Sequence, residues 1–592
     1  MKRKLIRMGK PITLLLVMLL CSMGLLAQQS IVVKGSVSDS SGAALAGSSV
    51  RAIKSGQVIL SDSTGQFQLF VAGNEVLEFS RVGYTTSQLN VSKITPDENG
   101  VLSVQMTLYL ENKALDEVIV VGFGNQKKKS MVSSVTAVNV EELRVPTGNI
   151  TNALAGRVAG MISFQTSGEP GLGTDNSQFY IRGLATFGTG KQDPLILIDG
   201  VESTPTDMAR IQPDDISDFS VLKDAAASAV YGARGANGVV LINTKSGKSG
   251  TTKFDFRAET RMSSNTKNFK FADNITYMQL ANEATLTRSP NAVLPYSVNK
   301  INHTIAGDDP YLYPNNNWIE QLIKKNTINQ SYNLALSGGN TKAKYYVAGW
   351  YQMNNGNLKV DPVNDFNNNI KLQSYSLRSN VNLNLTNTTE LIVRLYGQFD
   401  DYKGPIGGGA RTYNNAIWSN PVMFPAVYPA EMLPYIEHPF FGSSRTFSSD
   451  GNPTSTLYVN PYAEMVKGYR VYKTSNLMPQ LELKQNLKFI TQGLSARGMA
   501  YVRRTSYFAV DRSYNPFYYQ AIVNPLDQTY RISVLNDGTT GSVGTVGSET
   551  LGYAESDKTV NSMIWAQGAL DYSRRFNQKH DVGGINQHFN SH

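Results

Sequence analysis

Cysteine is nearly missing: Cys21 is the only one in 592 residues, and it sits inside an N-terminal apolar run. Removal of that run leaves no thiol, which excludes disulfides, thiolate metal sites and cysteine nucleophiles together. Histidine is scarce too, at 303, 438, 580, 588 and 592. Only His588 and His592 have i, i+4 spacing, without HExxH, so zinc peptidase chemistry finds no support. Charged residues make up 17%, and the net charge of +9 is spread thinly, with no basic block beyond Lys127-Lys128-Lys129. That argues against nucleic acid as a partner. After residue 26 no apolar stretch approaches the ~20 residues a membrane helix needs. The glycine-rich stretch Gly232 to Gly238 lacks phosphate-loop spacing and follows a helical pattern instead of opening one, so a nucleotide site is disfavoured. No spacing singles out a carboxylate pair for glycosidase work. No catalytic residue, metal ligand or cofactor is nominated.

What is present is glycine, 50 residues, and aromatics at 10%, with Tyr (30) outnumbering Phe (23). That suits many Tyr-bearing strands joined by turns. At ~150 residues per domain the length implies three or four domains. Residues 1–27 read as an export signal: Lys2, Arg3, Lys4, Arg7 and Lys10, then an apolar core from Ile12 to Leu26, closing at Ala27. The core is short for a membrane anchor, and Leu20 stands before Cys21 where a lipoprotein signal would carry a small residue.

Residues 28–112 read as a small β-sandwich, with apolar alternation in Ile31, Val33 and Val37, in Phe67, Leu69 and Val71, and in Val76, Leu77 and Phe79. Turn signals fall at Asp39-Ser40-Ser41-Gly42 and Asp62-Ser63-Thr64-Gly65. Its pattern, from Val33-Lys34-Gly35 to Arg81-Val82-Gly83-Tyr84, resembles the carboxypeptidase-regulatory-like domain, a non-catalytic module. In residues 113–129 the run Asp116-Glu117-Val118-Ile119-Val120-Val121-Gly122 has two readings: a buried strand of the sandwich, or a detachable strand that adds to the sheet edge of a partner.

Residues 130–248 read as a compact α+β domain. Ile150, Leu154 and Val158 share a helical face behind Thr147 and Asn149, and Gly160 is the expected helix stop. Strands are expected at Tyr180 to Gly183, Pro194 to Gly200, Ile216 to Leu222 and Gly238 to Thr244, with a helix starting at Asp224 and stopping at Gly232. Residues 249–592 alternate like membrane β-strands. Phe254, Phe256, Ala258, Thr260 and Met262 face one way, and Asp255, Arg257, Glu259 and Arg261 the other. Likewise Leu391, Val393, Leu395 and Phe399 oppose Arg394, Tyr396, Gln398 and Asp400. A soluble sandwich also alternates. Hairpins are expected at Gly338-Gly339-Asn340 and Asn387-Thr388, and Lys403 to Glu464, with Gly407-Gly408-Gly409, reads as a long outer loop.

Several motifs in order give a sharper reading. Leu154 to Gly160, Ile181-Arg182-Gly183, Pro194 to Asp199-Gly200, and Val221-Leu222-Lys223-Asp224 through Tyr231-Gly232-Ala233-Arg234-Gly235-Ala236-Asn237-Gly238 together resemble the plug of SusC/RagA-type TonB-dependent outer-membrane transporters. The resemblance implies a mainly β protein: the N-terminal sandwich, an α+β plug domain, and a transmembrane antiparallel β-barrel, 22-stranded in the family. It makes Asp116 to Gly122 the TonB box, contacted by the TonB C-terminal domain of the inner-membrane energising complex. It further implies outer-membrane lipid around the strands, a SusD-like surface lipoprotein as lid, and oligosaccharide or oligopeptide as cargo. A cargo-sensing receptor or a non-transporting surface binding protein is the alternative; the short distance from the export signal to the sandwich at Ile31 favours import. Residues from Gly250 onward accommodate only about eight to ten strands, and alternation fades after Val582. An incomplete barrel is therefore expected, as from truncation, a frameshift or a cut in a longer protein. Loop aromatics Trp318, Trp418, Tyr435, Phe440, Tyr518 and Tyr519 fit loop packing or an aromatic girdle better than cargo stacking, so no ligand-binding residue is named.

Overall fold

A computed structural model of the chain describes residues 30–591 except 41, 95, 97–100, 110–117, 122–123, 128–134, 172, 185–191, 225–227, 268, 361–362, 449–451, 525–528 and 577–579. The expected export signal and Asp116, Glu117 and Gly122 of the expected TonB box lie outside the described residues. The chain divides into two compact units, one holding residues up to Val118 with 126–131, the other holding 119–125 with 132–592.

The first unit is a sandwich of seven strands: β1 (Ser30–Asp39), β2 (Ser49–Ala52), β3 (Val58–Leu60), β4 (Gln66–Ala72), β5 (Val76–Ser80), β6 (Ser87–Asn90) and β7 (Val101–Leu108). One sheet runs β4-β1-β7 and the other β3-β2-β5-β6. Period-two alternation sends Phe67, Leu69 and Val71 inward from β4, where they meet Val33, Leu77, Phe79 and Leu102. Phe67 and Phe79 pack edge to face with centroids 5.5 Å apart. The turn before β4 is tied by Asp62, whose carboxylate accepts from the amides of Thr64 and Gln66. Residues Val118–Val121 and Gly124–Lys127 form two further short strands, β8 and β9.

The plug comprises β10 (Val135–Val138), β11 (Met161–Gln165), β12 (Ser177–Ile181), β13 (Leu195–Ile198), β14 (Val201–Ser203), α1 (Pro205–Ala209), β15 (Ile216–Leu222) and β16 (Val239–Thr244). Its sheet has the order β10-β15-β16-β13-β14, with β13 and β16 parallel. Central β13 is buried along its whole length, as befits a strand covered on both faces. Edge strand β10 makes four residue pairs with β15, Val135 opposite Leu222 to Val138 opposite Phe219, and buries Val138 in the core.

The expected helix through Gly160 is corrected to a single 3-10 turn, Ile150–Ala153. Asn149 caps it, accepting from Thr151 and Asn152, and Ile150, Leu154 and Val158 all reach the core. Gly156 and Gly160 hold positive φ of 73° and 78°, which breaks the helix where the apolar spacing would continue it. Downstream, Ala229–Gly235 is also a 3-10 stretch, interrupted by Gly232 at φ 57°, ψ −146°, a conformation open only to glycine.

Residues 245–249 lead directly from the plug into the wall. Strand β17 (Gly250–Ser264) is followed by α2 (Asn274–Arg288), α3 (Val298–Ala306) and α4 (Trp318–Leu322), then β18 (Asn326–Gly339), β19 (Ala343–Asn355), β20 (Lys371–Asn384) and β21 (Thr389–Gly404). A long connection carries α5 (Gly408–Trp418), β22 (Val427–Tyr428), β23 (Phe440–Gly442), β24 (Arg445–Phe447), β25 (Pro453–Leu457) and α6 (Pro461–Val466). After β26 (Gly468–Asn486) and β27 (Leu494–Ser513) come β28 (Tyr518–Val523) and β29 (Tyr530–Val534), and finally β30 (Gly552–Phe576) and β31 (His580–Ser591). Nine strands make one antiparallel sheet in the order β17-β18-β19-β20-β21-β26-β27-β30-β31. Their connections alternate strictly, short at 340–342, 385–388, 487–493 and 577–579, long at 265–325, 356–370, 405–467 and 514–551. That asymmetry between ends belongs to outer-membrane barrels.

Alternation is equally clear across the wall. Phe254, Phe256 and Met262 stand 73%, 68% and 74% exposed on the outer side of β17, joined by Leu334, Leu377, Leu395 and Leu481 from neighbouring strands. The inner side carries buried Arg261, Gln352, Arg378, Asp400 and Glu482. Both hairpins expected at 338–340 and 387–388 are present. Two segments show more order than expected. The long connection expected at Lys403 to Glu464 is present and folded, because α5, α6 and the short strands pack Phe424, Phe441, Tyr462 and Met465 into a core with Trp318; its aromatics bury one another. The last strand also runs past Val582 to Ser591, since backbone pairing with Trp565 to Phe576 continues through Gly583-Gly584.

Candidate functional site

The plug is seated against the inner face of the wall by polar side chains. Sequence dictates the key turn: Asp199-Gly200 joins β13 to β14 as a two-residue hairpin, with φ of 50° and 82°. Both central residues of a type I′ turn need positive φ, and Asp followed by Gly tolerates it best. The turn aims the Asp199 carboxylate at the end of β16, where it accepts from the Thr244 amide at 2.8 Å and hydroxyl at 2.7 Å. Arg378 of β20 approaches Asp199 at 3.6 Å and Asp215 at 3.7 Å, and its guanidinium lies 4.3 Å from the Tyr396 ring centroid. Asn380 donates to the Thr244 hydroxyl and the Lys245 carbonyl, and Gln480 to the Asp199 carbonyl.

A second anchor forms around α1. Thr204 and Asp207 make a capping box with Pro205 in the first turn. Asp207 also accepts from Asn476 of β26 at 2.7 Å and from Arg503 of β27. Following α1, Arg210 is 1% exposed; it donates to the Gly171 carbonyl at 2.8 Å and stands 3.5 Å from Asp175 and 3.9 Å from Asp400 of β21. Burial works against its charge, but Asp175 and Asp400 more than offset this and hold its pKa above the usual value. Asp215 goes the other way: burial raises its pKa, although Arg378 and the Tyr346 hydroxyl at 2.7 Å oppose the shift. A third contact joins Arg144 and Arg257 on Asp214, at 2.9 and 3.1 Å.

The plug-motif residues fall into three places. Arg182, at φ 58°, pairs with Asp224 while its amide donates to the Gly160 carbonyl, and Lys223 donates to the neighbouring Ala159 carbonyl. Burial, then the Arg182 charge, lowers the Lys223 pKa. Gly183, at φ 99°, has open space around it. Tyr231 lies in a core with Leu195, Leu222 and Leu241, where burial raises its pKa. Around it, Gly232 turns the chain, a Cβ on Gly235 would stand 2.8 Å from the Ser228 carbonyl, and one on Gly238 2.8 Å from Ile181. Asn237 reaches the Asp193 carbonyl. Arg234 pairs with Glu202 at 3.1 Å and lies over the Trp565 ring of the wall. Asp199, Gly200 and Arg234 reach the wall, and Tyr231 lies within the field of Arg497 on β27; the other contacts described here shape the plug itself. Of the expected TonB box, Val118 to Val121 are extended.

Residues 127–239 match the model of the TonB-dependent receptor plug domain. The chain is 31% identical over 399 residues to TonB-dependent receptor P26 of Formosa agariphila, covering 66% of this chain and 36% of that one. It is 28% identical over 389 residues to TonB-dependent receptor SusC of Bacteroides thetaiotaomicron, covering 64% and 35%. Residues 127–239 thus carry a TonB-dependent receptor plug domain, and the chain is similar to SusC-type TonB-dependent receptors. The fold agrees: the structure of the RagAB peptide importer in its open-open state superposes with a TM-score of 0.56 at 22% identity, over 79% of this chain and 48% of that one. The chain thus spans about a third of the length of these curated relatives.

Sequence reasoning placed Arg257, Arg261, Arg394 and Asp400 on the inner face but missed Arg210, Asp207 and Arg378 as seat residues. The available signal was polar side chains at inward positions of alternating strands, which Arg378 shares with Asn380. For Arg210 there was none, since its partners come from two segments far apart in the chain, the loop between β11 and β12 and strand β21.

Of the loop aromatics, Trp318, Phe440 and Tyr519 are buried, and Tyr518 packs against the loop core. Trp418 and Tyr435 are exposed at 81% and 95%.

Proposed function

We propose that this protein serves energised import across the outer membrane, taking up oligosaccharides or oligopeptides under a SusD-like surface lipoprotein, with energy delivered through TonB at Asp116 to Gly122. The observation that carries the reading is a plug held in the wall by turn-positioned, paired charges rather than by a continuous apolar core. Such a seat holds the plug firmly at rest, yet water can solvate its groups as they part, so it suits a domain that is moved and reseated. The long connections then face outward and the short turns face the periplasm. Deleting Asp116 to Val121 from the full-length protein is expected to abolish cargo uptake by cells while leaving cargo binding to isolated outer membranes intact. Unchanged uptake would overturn the assignment.

A further inference from the structure

Glu169 lies in the plug between β11 and β12, but its carboxylate ends on another layer of the molecule. One oxygen accepts from the Gly409 amide at 2.6 Å and the other from the Ala410 amide at 2.9 Å. Both amides belong to the first turn of α5, whose N-cap Gly407 has no side chain and whose first turn has no acid. The leading N–H groups of a helix need partners, and a carboxylate also suits the positive end of the helix dipole. Here both needs are met from 240 residues upstream.

The Gly407-Gly408-Gly409 run fits this contact. Gly407 and Gly408 take φ of 81° and 76°, and a Cβ on Gly408 would stand 2.7 Å from the nearer Glu169 oxygen. On the plug side the same loop is held by Arg210 through the Gly171 carbonyl, and Thr174 donates to the Glu169 carbonyl. On the other side α5 is built into the long connections: Thr412 and Ala416 are buried, Arg411 pairs with Glu464 of α6 at 3.1 Å, and the Tyr413 hydroxyl accepts from Asn265 just past β17.

We propose that Glu169 is a positioning residue that ties the plug to the long-connection layer. Displacement of the plug removes the α5 cap and loosens that layer, and loosening the layer frees the plug loop in return, because coupling between two sites is reciprocal. The use of this tie in uptake rests on the import reading; the tie itself does not.

The test is hydrogen exchange by mass spectrometry on the purified full-length protein, with neither TonB nor cargo present, so a failed uptake assay leaves its outcome untouched. Glu169→Ala is expected to speed exchange in 408–418 about fivefold, the equivalent of a lost helix cap, and Glu169→Gln, which keeps one acceptor oxygen, by less. Gly408→Ala is expected to speed exchange in plug residues 166–171, whereas Trp418→Ala at the exposed far end of α5 leaves them unchanged. Unaltered protection of 408–418 in Glu169→Ala, or of 166–171 in Gly408→Ala, overturns the proposal. So does a uniform rise across all wall strands, which would mean general destabilisation.

Discussion

At the residue scale the seat turns on where charge is buried. Arg378 serves two carboxylates at once, and Asp199 and Asp215 are both nearly inaccessible. Removing one member of a buried pair leaves an uncompensated charge, at a cost of about 3–5 kcal/mol. Arg378→Met is therefore expected to lower the denaturant midpoint for plug unfolding in the full-length barrel. Asp215→Asn is expected to cost far less, because burial already favours the neutral carboxyl and the amide oxygen still accepts from Tyr346. Equal losses in the two variants would refute this ranking. Lys300, in the connection after β17, gives a pH test. Burial lowers its pKa from 10.5 to about 8. The cost of burying the ammonium is fully present below pH 8 and is relieved as pH rises toward 10.5, so stability of that segment climbs across this window. Competitive acylation followed by mass spectrometry should show Lys300 titrating near pH 8, ahead of exposed lysines near ~10.4.

At the element scale, backbone conformation explains both what was legible and what was not. The strand ending at Gly200, β15, β16 and both wall hairpins could be read from the chain, because turn chemistry and period-two alternation are local, whereas the hairpin made by Asp199-Gly200 was not expected. The helix expected through Gly160 failed for a tertiary reason: Ile150, Leu154 and Val158 do face the core, but positive φ at Gly156 and Gly160 lets them do so from a turn. Seat partners such as Arg210 with Gly171, Asp175 and Asp400 come together only through folding, and no spacing in the chain encodes them. Among the motif glycines, Gly238 carries two constraints, φ of 85° and contact with Ile181, whereas Gly183 carries only its φ of 99°. Gly238→Ala should destabilise the plug by roughly 2 kcal/mol or more, and Gly183→Ala by about 1. Chemical denaturation of the two variants side by side would check the order.

At the scale of the whole molecule, the wall has one apolar and one polar face, and the two should respond oppositely to charge. Leu395, 51% exposed on the outer face of β21, is predicted to resist replacement: Leu395→Arg should cost about 2–4 kcal/mol if it lies near the membrane midplane, less near its edges. The expected result is a reduced folded, heat-modifiable fraction in outer-membrane extracts of the full-length protein. A normal fraction would show that this face does not meet lipid.

The junction between plug and wall has a mechanical meaning. Only residues 245–249 separate the last plug strand from the first wall strand, and five residues span at most about 18 Å when fully extended. The plug is thus leashed through β16, the middle strand of its sheet, and Asn380 clasps the leash at the Lys245 carbonyl. A pull applied ahead of β10 reaches one edge of the sheet first, where four residue pairs join β10 to β15. Force would part β10 from β15 first and then pass along the chain into β11 and β12, reaching β16 last. Opening would then proceed by unravelling in sequence order while the last strand stays moored, ready to template the return.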